Sequence, residues 1–145
     1  MIGEGFGCSY KSESPVVTHI ERLRVRWIDT DASGRIHYTA AFRYFEVAEW
    51  EFFRHSGLPL RGQKEEFGFP RVEVKATFHF PLYADDEIAV HICPERIGNT
   101  SITFDLKVFK EELCCISGKV SSVFIGKDGK PIPIPRRIRE ALASE

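Results

Sequence analysis

The chain has 145 residues, and its 20 Lys and Arg balance 21 Asp and Glu to a formal net charge of −1. Apolar residues make up 43% and charged residues 28%, which is typical of one soluble globular domain. The balanced charge excludes a nucleic-acid binder that works through a general basic field, and also a disordered charged tail. Phe is in surplus, with 12 Phe against 4 Tyr and 2 Trp, and this residue suits a dry interior or a hidden interface.

The cysteines and the first residues indicate the compartment. The four cysteines form no C-x-x-C pair and match no zinc spacing, so we expect reduced thiols and no metal; they are Cys8, Cys93, Cys114 and Cys115. Residues 1–17 contain no apolar run that would form a signal peptide, and no stretch approaches the ~20 apolar residues of a membrane span. The sequence therefore predicts a cytoplasmic protein.

The first elements are predicted from composition and periodicity. Residues 1–17 are rich in Gly and Ser, which predicts a flexible extension before a single domain over residues 18–145. From His19 to Trp27 apolar residues alternate with Arg, which predicts a half-buried strand with Trp27 on its inner face. Asp, Ser and Gly then make Ile28 to Thr39 a loop.

One long helix and four strands follow. Aromatic residues at three- to four-residue spacing predict a helix from Ala40 to His55, with Thr39 as N-cap and Gly57 and Pro59 as its end. Apolar alternation and turn residues then predict four strands and a short final helix, near 70–80, 87–96, 101–110, 113–125 and 136–143. The order predicts an α+β fold, an antiparallel meander of five strands with one helix. Because one helix leaves part of the sheet uncovered, we also expect a homodimer or homotetramer.

The loop before the helix holds the residues most suited to chemistry. Asp29 and Asp31 lie just before a helix N-terminus, where backbone N–H groups lack partners and favour anions. A carboxylate beside such donors suits acyl transfer, because the donors hold the oxyanion while the carboxylate acts as base or nucleophile. The alternative is an ordinary loop in which both Asp residues cap backbone or face water.

The same loop resembles a known family. The run W-I-D-T-D-A-S-G-R-I-H-Y at 27–38, followed by F-R-Y-F-E at 42–46, is similar to the signature of the hotdog-fold acyl-CoA thioesterases. The similarity is closest to their 4-hydroxybenzoyl-CoA thioesterase-like branch and covers about residues 22–125. It implies the hotdog fold, a five-stranded antiparallel sheet wrapped around one long central helix. It also implies hydrolysis of an acyl-CoA thioester to free acid and coenzyme A.

The resemblance also implies a site. Asp31 would be the base or nucleophile, and the backbone N–H groups near His37 and Tyr38 would polarise the thioester carbonyl. Gly34 would allow a tight turn beside the substrate. No metal or redox cofactor is expected, since coenzyme A arrives as part of the substrate. The chain departs from the family pattern at three positions, Ser33, Ala40 and Ala41.

Further candidates and functions stay open. The His37 ring is a candidate partner of Asp31, Glu46 a candidate helix carboxylate at the substrate, and Thr100 and Ser101 candidates for the pantetheine path. A basic cluster at 136–139 would meet coenzyme A phosphates or only solvent. Two alternatives to a thioesterase are a non-catalytic acyl-CoA binding module on the same fold and an enoyl-CoA hydratase or dehydratase. An acyl-CoA is the expected partner, with no nucleic acid and no membrane span.

Overall fold

A computed structural model describes residues 18–58 and 66–143, and the predicted extension over residues 1–17 lies outside them. A short 3₁₀ helix covers Trp27–Asp29. The longer elements, in chain order, are β1 His19–Arg24, α1 Ala40–His55, β2 Arg71–Phe78, β3 Glu87–Ile97, β4 Ser101–Lys110, β5 Leu113–Val123 and α2 Arg136–Leu142. No helix in these described residues has the length and apolarity needed to cross a bilayer.

The five strands form one antiparallel sheet in the order β1-β3-β4-β5-β2, which confirms the α+β prediction. The predicted meander is wrong for β2, because this strand pairs with β5 at the far edge and forms no hairpin with β3. The turn between β2 and β3 is held elsewhere: the Ile36 N–H donates to the Leu82 carbonyl, and the Val25 N–H donates to that of Asp86. These bonds lead the chain across the molecule, so β1 and β2 become the two edges.

Helix α1 lies against one face of the sheet and supplies much of the core. Phe45, Phe52 and Phe53 are at most 1% exposed. The rings of Phe52 and Phe53 meet Phe104 of β4 edge-on, with centroids 5.1 and 5.8 Å apart. Gly118 of β5 permits the close approach, since a Cβ there would lie 2.6 Å from the Phe45 ring. The helix is therefore seated directly on the sheet, as expected for a central helix.

Two local predictions differ from the structure. Strand β1 ends at Arg24, and Trp27 is 84% exposed because the chain turns into the 3₁₀ helix, so the expected inner position of Trp27 is wrong. Thr39 makes no side-chain cap bond to α1; its hydroxyl is 2.8 Å from the His37 ring instead. In both cases tertiary contacts in the 27–39 loop replace the local pattern.

The edge strand β2 is exposed on both faces. Val72, Val74 and Phe78 are 64%, 39% and 46% exposed. The β5 register places Val74 and Phe78 on the α1 side of the sheet, because their partners Val120 and Ile116 are buried in the core. An apolar edge strand without a neighbour is a ready pairing surface. Part of the Phe surplus therefore lies at an open edge and not in the interior.

Candidate active site

The loop between β1 and α1 is anchored by Asp29. This residue is 6% exposed, and its carboxylate accepts hydrogen bonds from the Arg26 N–H at 2.9 Å, Arg43 at 3.1 Å and the Tyr44 hydroxyl at 3.0 Å. Its carbonyl accepts the His37 N–H at 2.8 Å. Asp29 thus ties the 3₁₀ turn, the loop and the first turns of α1 together.

The ionisation of this anchor follows from its contacts. Burial disfavours the charged form of Asp29, but the bonds from Arg26, Arg43 and Tyr44 outweigh burial and lower its pKa. Burial, then the bond to Asp29, raises the pKa of the Tyr44 phenol. At neutral pH Asp29 is therefore a charged and fully engaged structural group, not a free base.

Asp31 differs from Asp29 in exposure and in partners. It lies on the surface, and its Oδ1 accepts the Ser33 hydroxyl at 2.6 Å and the Ser33 N–H at 2.8 Å. These two bonds lower the pKa of Asp31, with smaller contributions from the charges of His37 and Arg35. Within residues 18–58 and 66–143 nothing donates a hydrogen bond to Oδ2. Asp31 is thus an ionised carboxylate with one oxygen available to water or substrate.

The backbone beside α1 offers one free donor. The His37 N–H is engaged by Asp29, so the expectation that it shares in an oxyanion hole is corrected. The Thr39 N–H points to His37 Nδ1 at 3.2 Å, and the Ala40 N–H bonds the His37 carbonyl. In the described part of the chain the Tyr38 N–H has no acceptor, and it lies just before the positive end of the α1 dipole. This N–H is the group placed to bind an oxyanion.

The His37 ring faces its own loop. Nδ1 accepts from Thr39, so the neutral ring carries its proton on Nε2, and the ring stacks on Tyr38 with centroids 4.5 Å apart. No hydrogen bond joins this ring to Asp31 among the described contacts. The positive charge of the protonated ring nevertheless lowers the pKa of Asp31 through space.

A cleft of about 330 Å³ lies next to Tyr38. Its lining is largely aromatic and apolar, with one guanidinium, and includes Arg35, Tyr38, Phe78, His79 and Phe80. The loop is held against this cleft by the Ile36–Leu82 hydrogen bond and by a bridge between Arg35 and Tyr83. Such a cleft fits a flat apolar group with few polar contacts.

The other predicted residues are not all near this loop. Gly34 forms the turn after Asp31 with a φ of 86°, and there is open space where a side chain would stand. Glu46 is exposed two turns into α1. Thr100 and Ser101 lie at the β3–β4 hairpin, at the opposite end of the ten-residue strand β4 from Lys110 and its partner Asp86. A strand of that length spans roughly 30 Å, so the same chain does not bring them to Asp31.

Structural contacts account for two of the three arginines near the C-terminus. Arg139 donates to the Gly98 carbonyl at 2.6 Å, and the Arg137 guanidinium lies over the Phe67 ring, 5.7 Å from its centroid. Within the described residues no group of three His, Cys, Asp or Glu side chains could hold a metal ion.

Two contributors were missed by the sequence analysis. The first is Ser33, which was noted only as a departure from the family pattern, although a Ser two residues after an Asp is the pattern of a local side-chain turn. The second is Arg43. The other two departures, Ala40 and Ala41, make no such contribution, because they are fully buried in the core and do not line the cleft. The pairing of Arg43 with Asp29 had no local signal, because the two residues meet only when the loop folds onto α1.

Comparison with known proteins agrees with this architecture. The model of the Thioesterase-like superfamily matches residues 25–142. A protein of Aquifex aeolicus (strain VF5), provisionally named an esterase, is 34% identical over 125 residues, which are 85% of this chain and 96% of the relative. A 1,4-dihydroxy-2-naphthoyl-CoA hydrolase of Synechococcus sp. (strain WH7803) is 26% identical over 72% of this chain and 74% of its own.

The solved structures lead to the same family. The structure of a gentisyl-coenzyme A thioesterase superposes with a TM-score of 0.79 at 26% identity, covering 86% of this chain and 100% of that one. The fold agrees with the family match over residues 25–142, since the antiparallel sheet packs against one long helix that follows the 27–39 loop. The chain therefore belongs to the Thioesterase-like superfamily, the hotdog-fold thioester hydrolases.

Proposed function

We propose that this chain hydrolyses an acyl-CoA thioester at the loop before α1, with Asp31 as the reacting carboxylate and the Tyr38 N–H as oxyanion donor. The observation that carries the proposal is that the loop before α1 holds two open groups, and that one of them, Tyr38, borders the aromatic cleft. Asp31 keeps one carboxylate oxygen free, and Tyr38, two residues before the start of α1, has an N–H that lacks an acceptor in the described chain. Thioester hydrolysis is accelerated by a carboxylate that acts as base or nucleophile and by a donor that binds the developing oxyanion.

The proposed reaction can follow two routes. As a base, Asp31 takes a proton from water while the water oxygen attacks the carbonyl carbon, and the C–S bond then breaks to release the thiolate. As a nucleophile, Asp31 attacks the carbonyl itself, the thiolate leaves, and water opens the resulting anhydride. Both routes consume one water and release one acid and one coenzyme A thiol. In both, the negative charge that develops on the carbonyl oxygen meets the Tyr38 N–H and the α1 dipole.

We propose an aromatic acyl group as the substrate class. Phe78, Phe80 and Tyr38 line the cleft beside the free N–H, and flat rings pack well against such side chains. Relatives named for a dihydroxynaphthoyl-CoA and a gentisyl-CoA support the same class. Exposed Glu46 on α1 remains the proposed carboxylate contact to this group.

Replacement of Asp31 by Asn tests the function. We expect kcat for an aroyl-CoA to fall 100-fold or more, since the amide can act neither as base nor as nucleophile. Thiol release is followed with a chromogenic thiol reagent over short aliphatic to aromatic acyl-CoAs. The matched control is Asp128→Asn, because Asp128 is also an exposed loop Asp that accepts an N–H two residues on, at 3.0 Å from Lys130.

The control variant should keep wild-type kcat. Near-wild-type turnover by Asp31→Asn would remove Asp31 from the chemistry. Tight acyl-CoA binding without thiol release by the wild-type chain would indicate the binding module instead, and turnover of an enoyl-CoA without thioester cleavage would indicate a hydratase.

We propose further that the chain forms a homodimer through the β2 edge. Two antiparallel copies of β2 related by a two-fold axis oppose residues that face the same side of the sheet. An axis at Val74 places Glu73 opposite the partner's Lys75, and Lys75 opposite the partner's Glu73. An axis at Glu73 or at Lys75 would instead oppose identical charges. Glu73 and Lys75 are 3.6 Å apart within the strand and mostly exposed, so four charges would alternate across the junction.

The same dimer would bring Thr100 and Ser101, which lie far from Asp31 of their own chain, to the active site of the partner. A two-fold axis in β2 reverses the partner, so the partner's β3–β4 hairpin lies toward the Asp31 end of the first copy. Thr100 and Ser101 would then line the pantetheine path from the partner subunit. A cytoplasmic location remains our expectation for this enzyme.

A further inference from the structure

Glu49 and Arg71 form an ion pair that the chemistry at Asp31 does not use. Glu49 lies on α1 with its side chain 3% exposed, and its Oε1 accepts Arg71 at 2.9 Å. Its Oε2 is buried without a hydrogen-bond partner in the described chain. Burial raises the pKa of Glu49 although Arg71 opposes the shift. A buried carboxyl group with one oxygen left without a hydrogen bond lowers the stability of the fold. We therefore expect Glu49 to serve a function.

A β-bulge aims Arg71 at this carboxyl group. The register of β2 against β5 shifts between Arg71 and Glu73, and it pairs Arg71 with Ser122, which is fully buried. The bulge turns Arg71 onto the α1 side of the edge strand. There Arg71 also donates to the Phe69 carbonyl at 3.1 Å, and its guanidinium lies 5.3 Å from the Phe69 ring centroid.

Arg71 is fixed in place by two hydrogen bonds and still has N–H groups available to bind a ligand. Its Nη2 donates to Glu49 and its Nη1 to Phe69, while a guanidinium has five N–H donors. The side chain remains 33% exposed at the open edge. Glu49 therefore fixes a cationic donor group at the surface where we propose that the second copy pairs.

The two-fold axis at Val74 brings this group to the other active site. With the bulge taken into account, this axis sets Arg71 opposite the partner's Ala76, so the partner's Phe78 is its diagonal neighbour on the α1 side of the sheet. Phe78 is a wall of the cleft beside Tyr38. In the proposed dimer each cleft therefore has the neighbouring Arg71 beside one of its walls.

We propose that Arg71 of each subunit is a specificity-determining residue of its partner's cleft, positioned by Glu49, and selects acyl groups that carry an acceptor oxygen. The ligand chemistry is a hydroxyl or carboxylate substituent, because guanidinium N–H groups bind such oxygens strongly and in fixed directions. This inference rests on the proposed function and on the proposed dimer. It names a contact made in trans, which neither of those requires.

A mixed dimer tests the contact in trans. One subunit carries Asp31→Asn and the other Arg71→Met, each with a different affinity tag, and the heterodimer is isolated by both tags. All turnover then comes from the Asp31 of the Arg71→Met subunit, whose cleft is completed by the Arg71 of the other subunit. We expect about half the wild-type kcat, with wild-type preference for hydroxybenzoyl-CoA and carboxybenzoyl-CoA over benzoyl-CoA.

The homodimers provide the comparison. Arg71→Met should lose roughly tenfold or more in kcat/KM for the substituted acyl-CoAs, the size of a charge-assisted hydrogen bond, and little for benzoyl-CoA. Comparing the hydroxyl and carboxylate substrates distinguishes the two oxygen sources. Glu49→Gln should raise KM for the substituted acyl-CoAs several-fold more than KM for benzoyl-CoA, a difference between substrates that a loss of folding would not produce.

The outcomes are separable from those for the function itself. A heterodimer with the preference of Arg71→Met, or an Arg71→Met homodimer with wild-type preference, overturns the proposal while thioesterase activity stands. If the wild-type chain releases no thiol from any acyl-CoA, the proposed function fails. The preference is then measured as calorimetric binding of the same three acyl-CoAs to wild type and Arg71→Met, and equal affinities would overturn the role of Arg71.

Discussion

At the scale of single residues, Ser33 controls the charge of Asp31, the carboxylate that we propose reacts. Its hydroxyl and N–H both donate to Asp31 Oδ1 and lower the pKa of that group. A general base works while it is ionised, so a lowered pKa extends activity toward acid. The two bonds also turn the carboxylate so that Oδ2 is left open. Ser33 is therefore part of how the loop prepares Asp31.

Replacing Ser33 by Ala should move the acid limb of the kcat/KM profile to higher pH. The hydroxyl bond is lost while the backbone bond remains, so the pKa of Asp31 rises toward its ordinary value. The measurement is the rate of thiol release against pH. Ser121→Ala is the control, because Ser121 bonds Thr103 at 2.8 Å on the sheet, away from the loop. An acid limb unchanged in Ser33→Ala would show that this hydroxyl does not set the ionisation.

At the scale of elements, the loop and α1 are joined by Asp29. The carboxylate binds the turn through the Arg26 N–H and the helix through Arg43 and Tyr44. This junction decides where Asp31 and the Tyr38 N–H stand relative to each other. The loop therefore acts as an extension of the helix, although its sequence is that of a mobile connection.

Asp29→Asn should destabilise the fold by about 2 kcal/mol at pH 7, because it removes one charge from a buried hydrogen-bonded pair. The folded pKa of Asp29 is lowered, so its contribution is present above the unfolded value near 3.8 and is lost as the pH falls through the folded value. The difference between variant and wild type in urea unfolding should thus shrink below about pH 4. A difference that is the same at pH 7 and pH 3 would contradict this origin, and Asp128→Asn serves as the neutral control.

At the scale of the whole molecule, we propose that the exposed β2 edge determines how two copies meet. The strand is open on both faces, and its outward charges alternate about Val74. The proposed dimer continues the sheet through two β2 strands and brings two clefts to one junction. Activity and assembly are then linked by geometry, since each cleft borders the neighbouring copy.

Charge reversal at this junction tests the assembly. Glu73→Lys alone places Lys opposite the partner's Lys75 and should weaken the dimer, whereas the double variant Glu73→Lys with Lys75→Glu restores opposite charges and should restore it. Sedimentation equilibrium over a concentration series measures both, and a mass of four chains would show a tetramer. Equal association of the single and double variants would place the interface elsewhere.

Sequence periodicity and composition by themselves determined the longer elements of this protein and pointed to the loop in which we propose that the chemistry takes place. Alternation over residues 101–110 and the aromatic spacing of 40–55 predict β4 and α1 closely, because burial on one face imposes the same period on the chain. Asp31 and Gly34 stand in a motif whose geometry is local, a turn that leads into a helix. Local physics is sufficient for such features.

Only the tertiary structure decided which groups are free and which are engaged. Composition and spacing alone hardly distinguish Asp29 from Asp31, yet Asp29 is buried among three donors and Asp31 keeps an open oxygen. It places β2 beside β3, but the bonds from 25 and 36 to the 82–86 turn send β2 to the opposite edge. Pairing and burial depend on contacts between residues far apart in the chain, and these carry no local period.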